Sequence, residues 1–274
     1  MPVYRPSHFH QLGIKAKKRL SQNFLIDQNI LDKLCTAANI QKGDSILEIG
    51  PGAGAITEKL LAKGAQVVAV EKDPDLAEKL SRLQNEELKI VCADALNFPL
   101  DNLPKKTKVV ANLPFHIATP LIERFIRLFP KIASLTVIVQ REVGQRMTAE
   151  KNSPQYSSFS LFIKAYSTPK YCFSIKPTSF FPAPSVHSSV IHMPLHAFPF
   201  PFSEEAFFQM TRTAFGKRRK MLRGSLKELY PKGVLEKGFA GANISPTARP
   251  QELTIEDFAR LFVECNPTHE NTES

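Results

Sequence analysis

The chain has 274 residues, of which 43% are hydrophobic and 23% charged, and it carries a net charge of +10 at pH 7. This length suits one large domain and a smaller one, and no apolar run approaches the roughly 18 residues that span a bilayer, which argues against a membrane-spanning protein. With no apolar segment after its N-terminal lysines and no Cys-x-x-Cys pair, the sequence also argues against secretion and structural zinc, and predicts a cytoplasmic location.

The first half of the chain alternates short apolar runs with amphipathic segments. Residues 1–27 lack either period and are predicted to form an arm, and Asp27 is placed to cap a helix that begins near Asn29. The predicted strands are Ser45–Ile49, Gln66–Glu71, Lys89–Cys92, Lys108–Ala111 and Leu135–Val139, and the predicted helices between them are Ile56–Leu61, Pro74–Leu80 and Leu121–Leu128. This alternation predicts an α/β fold, in which a mostly parallel sheet has helices on both faces.

The pattern changes near Phe159, in the second half of the chain. Ser160–Tyr166 and Ser189–His192 are predicted as two strands without an intervening helix, which would close the sheet as an antiparallel hairpin. The proline-rich segment Phe198–Phe202 is predicted as a linker, and Glu204–Glu264 as several helices. The predicted organisation is an arm over 1–27, an α/β domain over 28–198, a helical domain over 199–267 and a disordered tail over 268–274.

A glycine-rich loop, Glu48–Gly54, follows the first predicted strand and precedes a predicted helix. Glycines at such a place allow the backbone to approach a ligand closely, and the helix N-terminus offers free N–H groups. A dinucleotide site would have the spacing G-x-G-x-x-G, whereas Gly50, Gly52 and Gly54 have the spacing G-x-G-x-G. The acid Glu48 would repel a pyrophosphate but suits a ligand with an ammonium group, such as the methionine end of S-adenosylmethionine.

Two further acids follow later strands. Glu71 ends the second strand, where a carboxylate can accept both hydroxyls of a ribose, and Asp94 follows the third, where it can meet an adenine amine. Each feature alone has a structural explanation, as a tight turn, a solvated strand end or a helix cap. Because the carboxyl ends of parallel strands share one edge of the sheet, the glycine loop and the two acids together favour a cofactor site.

The tetrapeptide Asn112–Phe115 follows the fourth strand, at the same predicted edge of the sheet. Adenine N6 is a poor nucleophile because its lone pair is delocalised into the ring. The Asn112 amide oxygen and the backbone carbonyl of Leu113 or Pro114 can accept the two N6 hydrogens and localise that pair. Phe115 offers a ring on which an extruded base can stack. Such a turn also occurs without function, but beside a cofactor loop it predicts methylation of adenine N6.

The basic excess predicts a polyanionic partner, because phosphates attract Lys and Arg over long distances. It is concentrated in two clusters, which are Lys15, Lys17, Lys18 and Arg19, and Lys217, Arg218, Arg219, Lys220 and Arg223. Such runs are usually solvated helix faces. Here the apolar neighbours Met221 and Leu222 allow the stems to pack while the charged heads reach phosphates. We therefore predict RNA contacts by Lys17, Lys18, Arg19 and the whole second cluster.

With these features the chain resembles the KsgA-type small-subunit ribosomal RNA adenine dimethyltransferases, from about Lys17 to Phe262. Five motifs carry the resemblance, namely Leu20–Leu25, Ile46–Gly54, Asn112–Phe115, Phe180–Ser188 and Phe215–Arg223. It implies a Rossmann-like S-adenosylmethionine methyltransferase sheet and a small all-helical C-terminal domain. As substrate it implies two adjacent adenosines in the 3′-terminal hairpin of small-subunit (16S) rRNA, each dimethylated at N6 during ribosome biogenesis.

The resemblance also implies roles for individual residues and partners. The residues that would hold S-adenosylmethionine are Asn23 and Leu25 of the arm together with Gly50, Glu71, Asp94 and Asn112. Phe180 would stack on the target base from the side opposite Phe115. The partner would be small-subunit rRNA within an immature ribosomal subunit, and the protein would act as a monomer, without a metal or a membrane.

Two residues depart from the usual pattern of that family. Phe115 stands where tyrosine is commoner, and His116 stands where asparagine is usual. A phenylalanine ring retains the stacking contact, whereas any hydrogen bond from a tyrosine hydroxyl is lost. These differences leave the expected reaction type unchanged and bear on its rate.

Three other functions are compatible with parts of the pattern. A large-subunit rRNA adenine methyltransferase of the antibiotic-resistance type has the same catalytic core, but the long helical C-terminal region with its Lys-Arg cluster favours the small-subunit substrate. A non-catalytic ribosome-assembly factor could retain the fold and bind RNA. A dinucleotide-dependent oxidoreductase is the third alternative, and the glycine spacing argues against it.

Overall fold

The computed structural model describes residues 13–17, 20, 22–217 and 220–267. The chain forms two compact units. The first comprises Ser167–Ala197 together with the chain up to Gly144, and the second comprises Gln145–Tyr166 together with the chain from Phe198 onward. The sequence pattern predicts Gln145–Tyr166 within the α/β domain, but this segment groups with the helical unit.

Nine strands occur among the described residues of the first unit. They are β1 (Phe24–Leu25), β2 (Ser45–Ile49), β3 (Gln66–Glu71), β4 (Leu88–Cys92), β5 (Thr107–Asn112), β6 (Ile132–Gln140), β7 (Lys170–Ile175), β8 (Phe180–Phe181) and β9 (Ser188–Pro194). Seven of them form one sheet in the order β4-β3-β2-β5-β6-β9-β7, and β1 pairs separately with β8. The pairs from β4 to β6 are parallel, and β9 is antiparallel to β6 and β7. The predicted mostly parallel sheet with an antiparallel end is confirmed.

Five α-helices are described in the first unit or at its boundary, and two of them begin at a side-chain cap that the sequence encodes locally. The helices are α1 (Gln28–Ala37), α2 (Ala55–Ala62), α3 (Pro74–Leu80) and α4 (Ala118–Ile126), and α5 (Arg141–Met147) contains the boundary between the units. The Asp27 side chain accepts hydrogen bonds from the backbone N–H groups of Asn29 and Ile30, at 3.0 and 3.3 Å, which confirms the predicted cap of α1. Asp73 caps α3 in the same way.

The central strands of the sheet are buried on both faces. Val109 and Val110 of β5 point to opposite faces because side chains alternate along a strand, and both are 0% exposed. Burial of each such aliphatic side chain contributes roughly 1.5–3 kcal/mol. The buried strands therefore fix the positions of the loops that follow their carboxyl ends.

Ser160–Tyr166 is helical, and the predicted strand there is wrong. The segment lies in α6 (Ser158–Tyr166), and the strands that close the sheet in antiparallel fashion are β7 and β9. Seven residues of α6 are buried, so the sequence shows neither strand alternation nor an amphipathic stripe. A short apolar run without such a period does not distinguish a buried strand from a buried helix.

The second unit contains helices and no strand among its described residues. Besides α6 these are α7 (Glu204–Gly216), α8 (Leu222–Leu226), α9 (Lys232–Gly241) and α10 (Ile255–Cys265). Aromatic rings join them, with centroid distances of 5.2 Å between Phe162 and Phe208 and 4.6 Å between Phe202 and Phe262. The proline-rich segment before α7 thus packs within this unit. No helix in the described parts of the chain is long and apolar enough to cross a membrane.

Candidate cofactor and substrate site

A cleft opens in the first unit at the carboxyl ends of β2, β3, β4 and β5, where parallel α/β sheets bind ligands. Its walls are the glycine loop, the residues after β3 and β4, the tetrapeptide after β5, the arm and Phe180. The cleft is lined by every residue predicted to touch cofactor or base, which are Asn23, Leu25, Gly50, Glu71, Asp94, Asn112, Leu113, Pro114, Phe115 and Phe180. The structure therefore brings these distant parts of the sequence together.

The glycine loop turns sharply between β2 and α2. Gly50, Gly52 and Gly54 have φ angles of +67°, +59° and +93°, in the left-handed region that side chains disfavour. A Cβ atom at Gly52 would lie 2.9 Å from a ring carbon of Phe24, so the close approach of β1 to the loop also requires glycine. The loop thus keeps a bare backbone at the floor of the cleft, where a ligand can approach it.

Glu71 ends β3 with its carboxylate held by two backbone amides. The Gly52 N–H donates to Oε2 at 3.1 Å, and the Asp73 N–H donates to Oε1 at 2.9 Å. Burial raises the pKa of Glu71, because only 6% of the residue is exposed, and the two hydrogen bonds oppose that rise. A carboxylate oxygen can accept more than one hydrogen bond, so both oxygens can still receive the hydroxyls of a ribose.

Asp94 follows β4 and is held by one side chain and one backbone amide. Its Oδ2 accepts from Lys72 Nζ at 2.7 Å, and its Oδ1 accepts from the Leu96 N–H at 3.0 Å. The ammonium group of Lys72, and then the amide of Leu96, lower the pKa of Asp94, so the group is an anionic acceptor at neutral pH.

Arg124 supports the loop that carries Asp94, a role that sequence reasoning missed. Its guanidinium donates to the carbonyls of Ala95 and Phe98, both at 2.5 Å. Arg124 lies on α4, the helix that follows the tetrapeptide, so it joins the loop that carries Asp94 to the candidate catalytic segment. No local pattern marks an arginine whose acceptors lie 26 and 29 residues earlier in the chain.

Asn112 is the residue of the tetrapeptide whose side chain carries polar atoms, and it lines the cleft. The Asn112 side-chain amide donates to the Asn23 carbonyl at 2.8 Å, and its oxygen accepts no hydrogen bond from the described residues. The Leu113 N–H donates to Ile138 of β6 at 3.2 Å, and the Pro114 carbonyl accepts from the Ile117 N–H at 3.1 Å. The amide of Asn112 is thus oriented by the arm, which leaves its oxygen available as an acceptor.

Phe180 reaches the cleft through the small sheet formed by β1 and β8. Phe180 is paired with Leu25 in register, and it is only 4% exposed. Ser179 reinforces the junction, because its carbonyl accepts from the Ile26 N–H at 2.9 Å and its hydroxyl donates to Asp27 at 3.1 Å. The ring of Phe180 and the arm are therefore held together by strand pairing and by the hydrogen bonds of Ser179.

Glu48 does not line the cleft, which contradicts its predicted place beside a ligand's ammonium group. The side chain is 0% exposed, and among the described residues neither carboxylate oxygen has a hydrogen-bond partner. Burial, and to a lesser extent the charge of Glu71, raises the pKa of Glu48 to about 8, although the neighbouring Thr57 hydroxyl opposes the rise. At neutral pH the group is mostly protonated and offers little negative charge.

Replacing Glu48 by glutamine is expected to change how stability depends on pH. The folded-state pKa of about 8 exceeds the ordinary value of 4.5, so the folded protein keeps a proton that the unfolded chain releases. The wild-type free energy of unfolding therefore falls as pH rises through this range. The difference in free energy of unfolding between the variant and the wild type should therefore increase by about 2 kcal/mol, in favour of the variant, from pH 6 to pH 8. Urea unfolding of both proteins measures this gain, and a constant difference would contradict the raised pKa.

The predicted RNA-binding residues fall into three groups. Lys17 Nζ pairs with Asp73 at 2.6 Å and with Asp75 at 2.7 Å, and Lys217 pairs with Glu228. Lys220 and Arg223 are exposed, and neither forms an ion pair with the described residues. Lys18, Arg19, Arg218 and Arg219 lie outside the described residues.

The cysteines and acids of the chain form no recognisable metal centre in the part that is described. Cys35 and Cys265 are buried, Cys172 is partly buried and Cys92 is exposed, and none is in a disulfide. Within residues 13–17, 20, 22–217 and 220–267, no group of three His, Cys, Asp or Glu side chains is arranged to hold a metal ion.

The sequence is similar to known rRNA-modifying proteins. The family model for ribosomal RNA adenine dimethylase matches residues 13–266. The ribosomal RNA small subunit methyltransferase A of Protochlamydia amoebophila is 43% identical over 277 residues, covering 96% of this chain and 98% of its own. The protein of the same name from Chlamydia trachomatis is 44% identical over 264 residues, covering 93% of this chain and 94% of its own.

Two solved structures have a similar fold. A dimethyladenosine transferase from Plasmodium falciparum aligns with a TM-score of 0.76 at 24% identity, covering 89% of this chain and 98% of its own. The 23S rRNA methyltransferase ErmE aligns with a TM-score of 0.72 at 23% identity, covering 89% of this chain and 100% of its own. At these identities the likeness concerns the fold alone, and it confirms the predicted fold class.

Proposed function

The chain belongs to the ribosomal RNA adenine dimethylase family, and from this membership we propose that it dimethylates N6 of two adjacent adenosines in the 3′-terminal hairpin of small-subunit rRNA. The family predicted from the sequence motifs is confirmed. One observation carries the proposal, which is that Asn112, whose side-chain oxygen has no partner among the described residues, lines the same cleft as Glu71 and Asp94. Methyl transfer requires a base-binding acceptor and a cofactor site side by side.

The cleft fits S-adenosylmethionine, which supplies a methyl group activated by a positively charged sulfur. Glu71 has two oxygens with spare lone pairs for the ribose hydroxyls, and Asp94 is an anionic acceptor for the adenine amine. The bare backbone at Gly50, whose φ of +67° disfavours a side chain, permits close approach of the ligand. Asn23 and Leu25 would cover the ligand from the arm.

Asn112 and the residue after it would make the adenine amine nucleophilic. The Asn112 side-chain oxygen accepts one N6 hydrogen, and a backbone carbonyl accepts the other, which localises the lone pair on nitrogen. Of the two carbonyls that the sequence leaves open, that of Leu113 is favoured because that of Pro114 already accepts from Ile117. The N6–methyl bond forms as the sulfur–methyl bond breaks, and N6 then loses a proton to water.

Phe115 and Phe180 would hold the target base after it leaves the RNA stack. Both rings line the cleft, one from the tetrapeptide and the other from β8. Stacking on an aromatic ring is worth about 1–3 kcal/mol per base, which offsets part of the cost of extruding it. Two rings on opposite sides would also align N6 with the acceptors.

The basic residues would bind the phosphates of the RNA. Lys220 and Arg223 are exposed and free of ion pairs among the described residues, which suits direct phosphate contact. Lys217 would first have to exchange its carboxylate partner, whereas Lys17 would approach the phosphates while it stays paired with Asp73. We assign the same role to Lys18, Arg19, Arg218 and Arg219 from the sequence. The proposed setting is the cytoplasm, where the protein acts as a monomer on immature small subunits during ribosome biogenesis.

The deciding experiment is methyl transfer to immature small subunits taken from cells that lack this activity. With labelled S-adenosylmethionine, mass spectrometry of the rRNA should map dimethyladenosine to two adjacent positions in the 3′-terminal hairpin. Methylation of large-subunit rRNA instead would support the antibiotic-resistance type of enzyme. RNA binding without any transfer would support an assembly factor, and binding of NAD without S-adenosylhomocysteine would support an oxidoreductase.

A further inference from the structure

Asp73 is a buried carboxylate between the ribose-side acid and helix α3. It is 1% exposed, its backbone N–H donates to Glu71 Oε1 at 2.9 Å, and its Oδ1 caps α3 by accepting from the Asp75 N–H at 3.2 Å. Two side chains of the arm converge on it, because Lys17 Nζ donates to Oδ1 at 2.6 Å and Gln22 Nε2 donates to Oδ2 at 3.0 Å. A helix cap alone needs neither of these two contacts.

The arm side of this cluster leads directly to the cleft. The Lys17 N–H donates to Gln22 Oε1 at 2.8 Å, so the two arm residues are joined to each other as well as to the carboxylate. The next residue, Asn23, accepts the side-chain amide of Asn112 at 2.8 Å, and Gln22, Asn23 and Leu25 all line the cleft. Asp73 therefore connects two parts of the cleft, because its backbone N–H holds Glu71 and its carboxylate holds the arm.

We propose that Asp73 is a positioning residue that fastens the arm over the cofactor cleft, so that ribose binding at Glu71 and closure by the arm occur together. The inference rests on the proposed function. Buried hydrogen bonds to a charged group are the stronger kind, and this carboxylate receives one from an ammonium group and one from an amide. Burial alone raises the pKa of Asp73, but the bonds from Lys17 and Gln22 outweigh it and lower the pKa overall.

The test is Asp73→Asn, which keeps the oxygen that caps α3 but turns a second donor toward the Gln22 amide. We expect the dissociation constant for S-adenosylhomocysteine, measured by calorimetry, to rise about ten- to hundredfold, as loss of charge-assisted hydrogen bonds implies. The KM for S-adenosylmethionine should rise in parallel, while kcat at saturating cofactor stays within about threefold because no reacting atom is touched. The matched control is Asp75→Asn, which removes the exposed partner of Lys17 and should change affinity less than about twofold.

A compensating change separates positioning from a general structural defect. In the double variant Asp73→Asn, Gln22→Glu the carboxylate and the amide exchange places. Lys17 can then pair with the new carboxylate at residue 22, and the new amide at residue 73 can donate to that carboxylate. We expect affinity to recover to within about fivefold of wild type. If Asp73→Asn does not fold, Lys17→Met tests the same connection from the arm and should weaken cofactor binding at least about fivefold.

The outcomes distinguish this proposal from the function it rests on. Equal dissociation constants for Asp73→Asn and Asp75→Asn would overturn it, as would a fall in kcat equal to the loss of affinity or a double variant that recovers nothing. Wild-type protein that binds no S-adenosylhomocysteine would instead overturn the proposed function. Weak binding by Asp73→Asn, normal binding by Asp75→Asn and recovery in the double variant together establish the positioning role.

Discussion

Methyl transfer by an Asn112→Ala variant is expected to be on the order of 10²–10³-fold slower than by the wild-type protein, the scale found when one preorganised hydrogen-bonding group is removed from an active site. The Asn112 oxygen has no other partner among the described residues, and alanine removes the only side-chain acceptor that the tetrapeptide offers to adenine N6. RNA affinity should change less than about threefold, because phosphate contacts elsewhere dominate it.

Single-turnover transfer at saturating S-adenosylmethionine measures this effect without interference from cofactor binding. That precaution matters because the Asn112 amide also holds the Asn23 carbonyl, so alanine weakens the arm contact as well. The matched control is Asn102→Ala, which removes the same side-chain amide from an exposed position outside the cleft and should alter the rate less than about threefold. A rate for Asn112→Ala within tenfold of wild type would rule out its assigned role.

A Glu71→Ala variant is expected to bind S-adenosylhomocysteine at least about a hundredfold more weakly. Two ribose hydrogen bonds to a charged acceptor are lost, at roughly 1.5–3 kcal/mol each. Alanine also leaves the Gly52 and Asp73 amides without their acceptor, so the glycine loop loses a support together with the ligand contact. Isothermal calorimetry with S-adenosylhomocysteine gives the dissociation constant directly.

Two comparison variants make the Glu71 result specific. Glu71→Gln keeps one acceptor oxygen in a side chain of the same shape, so its loss of affinity should be smaller than that of alanine. Glu78→Ala removes the same chemical group from the exposed side of α3, outside the cleft, and should leave the dissociation constant unchanged. An unchanged constant for Glu71→Ala would show that the ribose lies elsewhere.

The α/β fold and the position of the cleft follow from features that are local in the sequence. The strands from β2 to β6 are mostly apolar runs, and helices separate successive strands except between β4 and β5. This alternation arises because a parallel sheet with helices on both faces must bury its strands. The glycine loop, Glu71, Asp94 and Asn112 each stand where a strand ends, so their convergence follows from the sheet geometry alone.

The wrong prediction at Ser160–Tyr166 has a physical cause of the same kind. Hydrophobic periodicity in a sequence arises where an element has one buried face and one solvent-exposed face. α6 has almost no solvent-exposed face. The sequence predicts an antiparallel end to the sheet, but it does not identify β7 as one of the strands there. β7, which pairs with β9, is less regularly buried than the central strands. Its place in the sheet is decided by its partner and not by its own pattern.

Glu48 illustrates how far a motif specifies a role. The sequence places an acid at the start of the glycine loop, next to residues that face the cleft. Side chains alternate along a strand, so a neighbour of a cleft residue can point into the protein, and burial then makes the acid mostly neutral at pH 7. The charge of Glu48 and the direction of its side chain therefore depend on the residues packed around it, which the motif does not specify.

By itself the sequence determined the order of strands and helices from β2 to β6, the cofactor edge of the sheet, the acceptor tetrapeptide and the family. Only the tertiary structure decided that Lys17 and Gln22 meet on Asp73, that Arg124 supports the Asp94 loop, and that the arm orients the Asn112 amide. Local patterns record burial and turn geometry, which nearby residues share. A hydrogen bond between residues 26 or more positions apart depends on how whole segments pack, and it leaves no periodic pattern in the sequence.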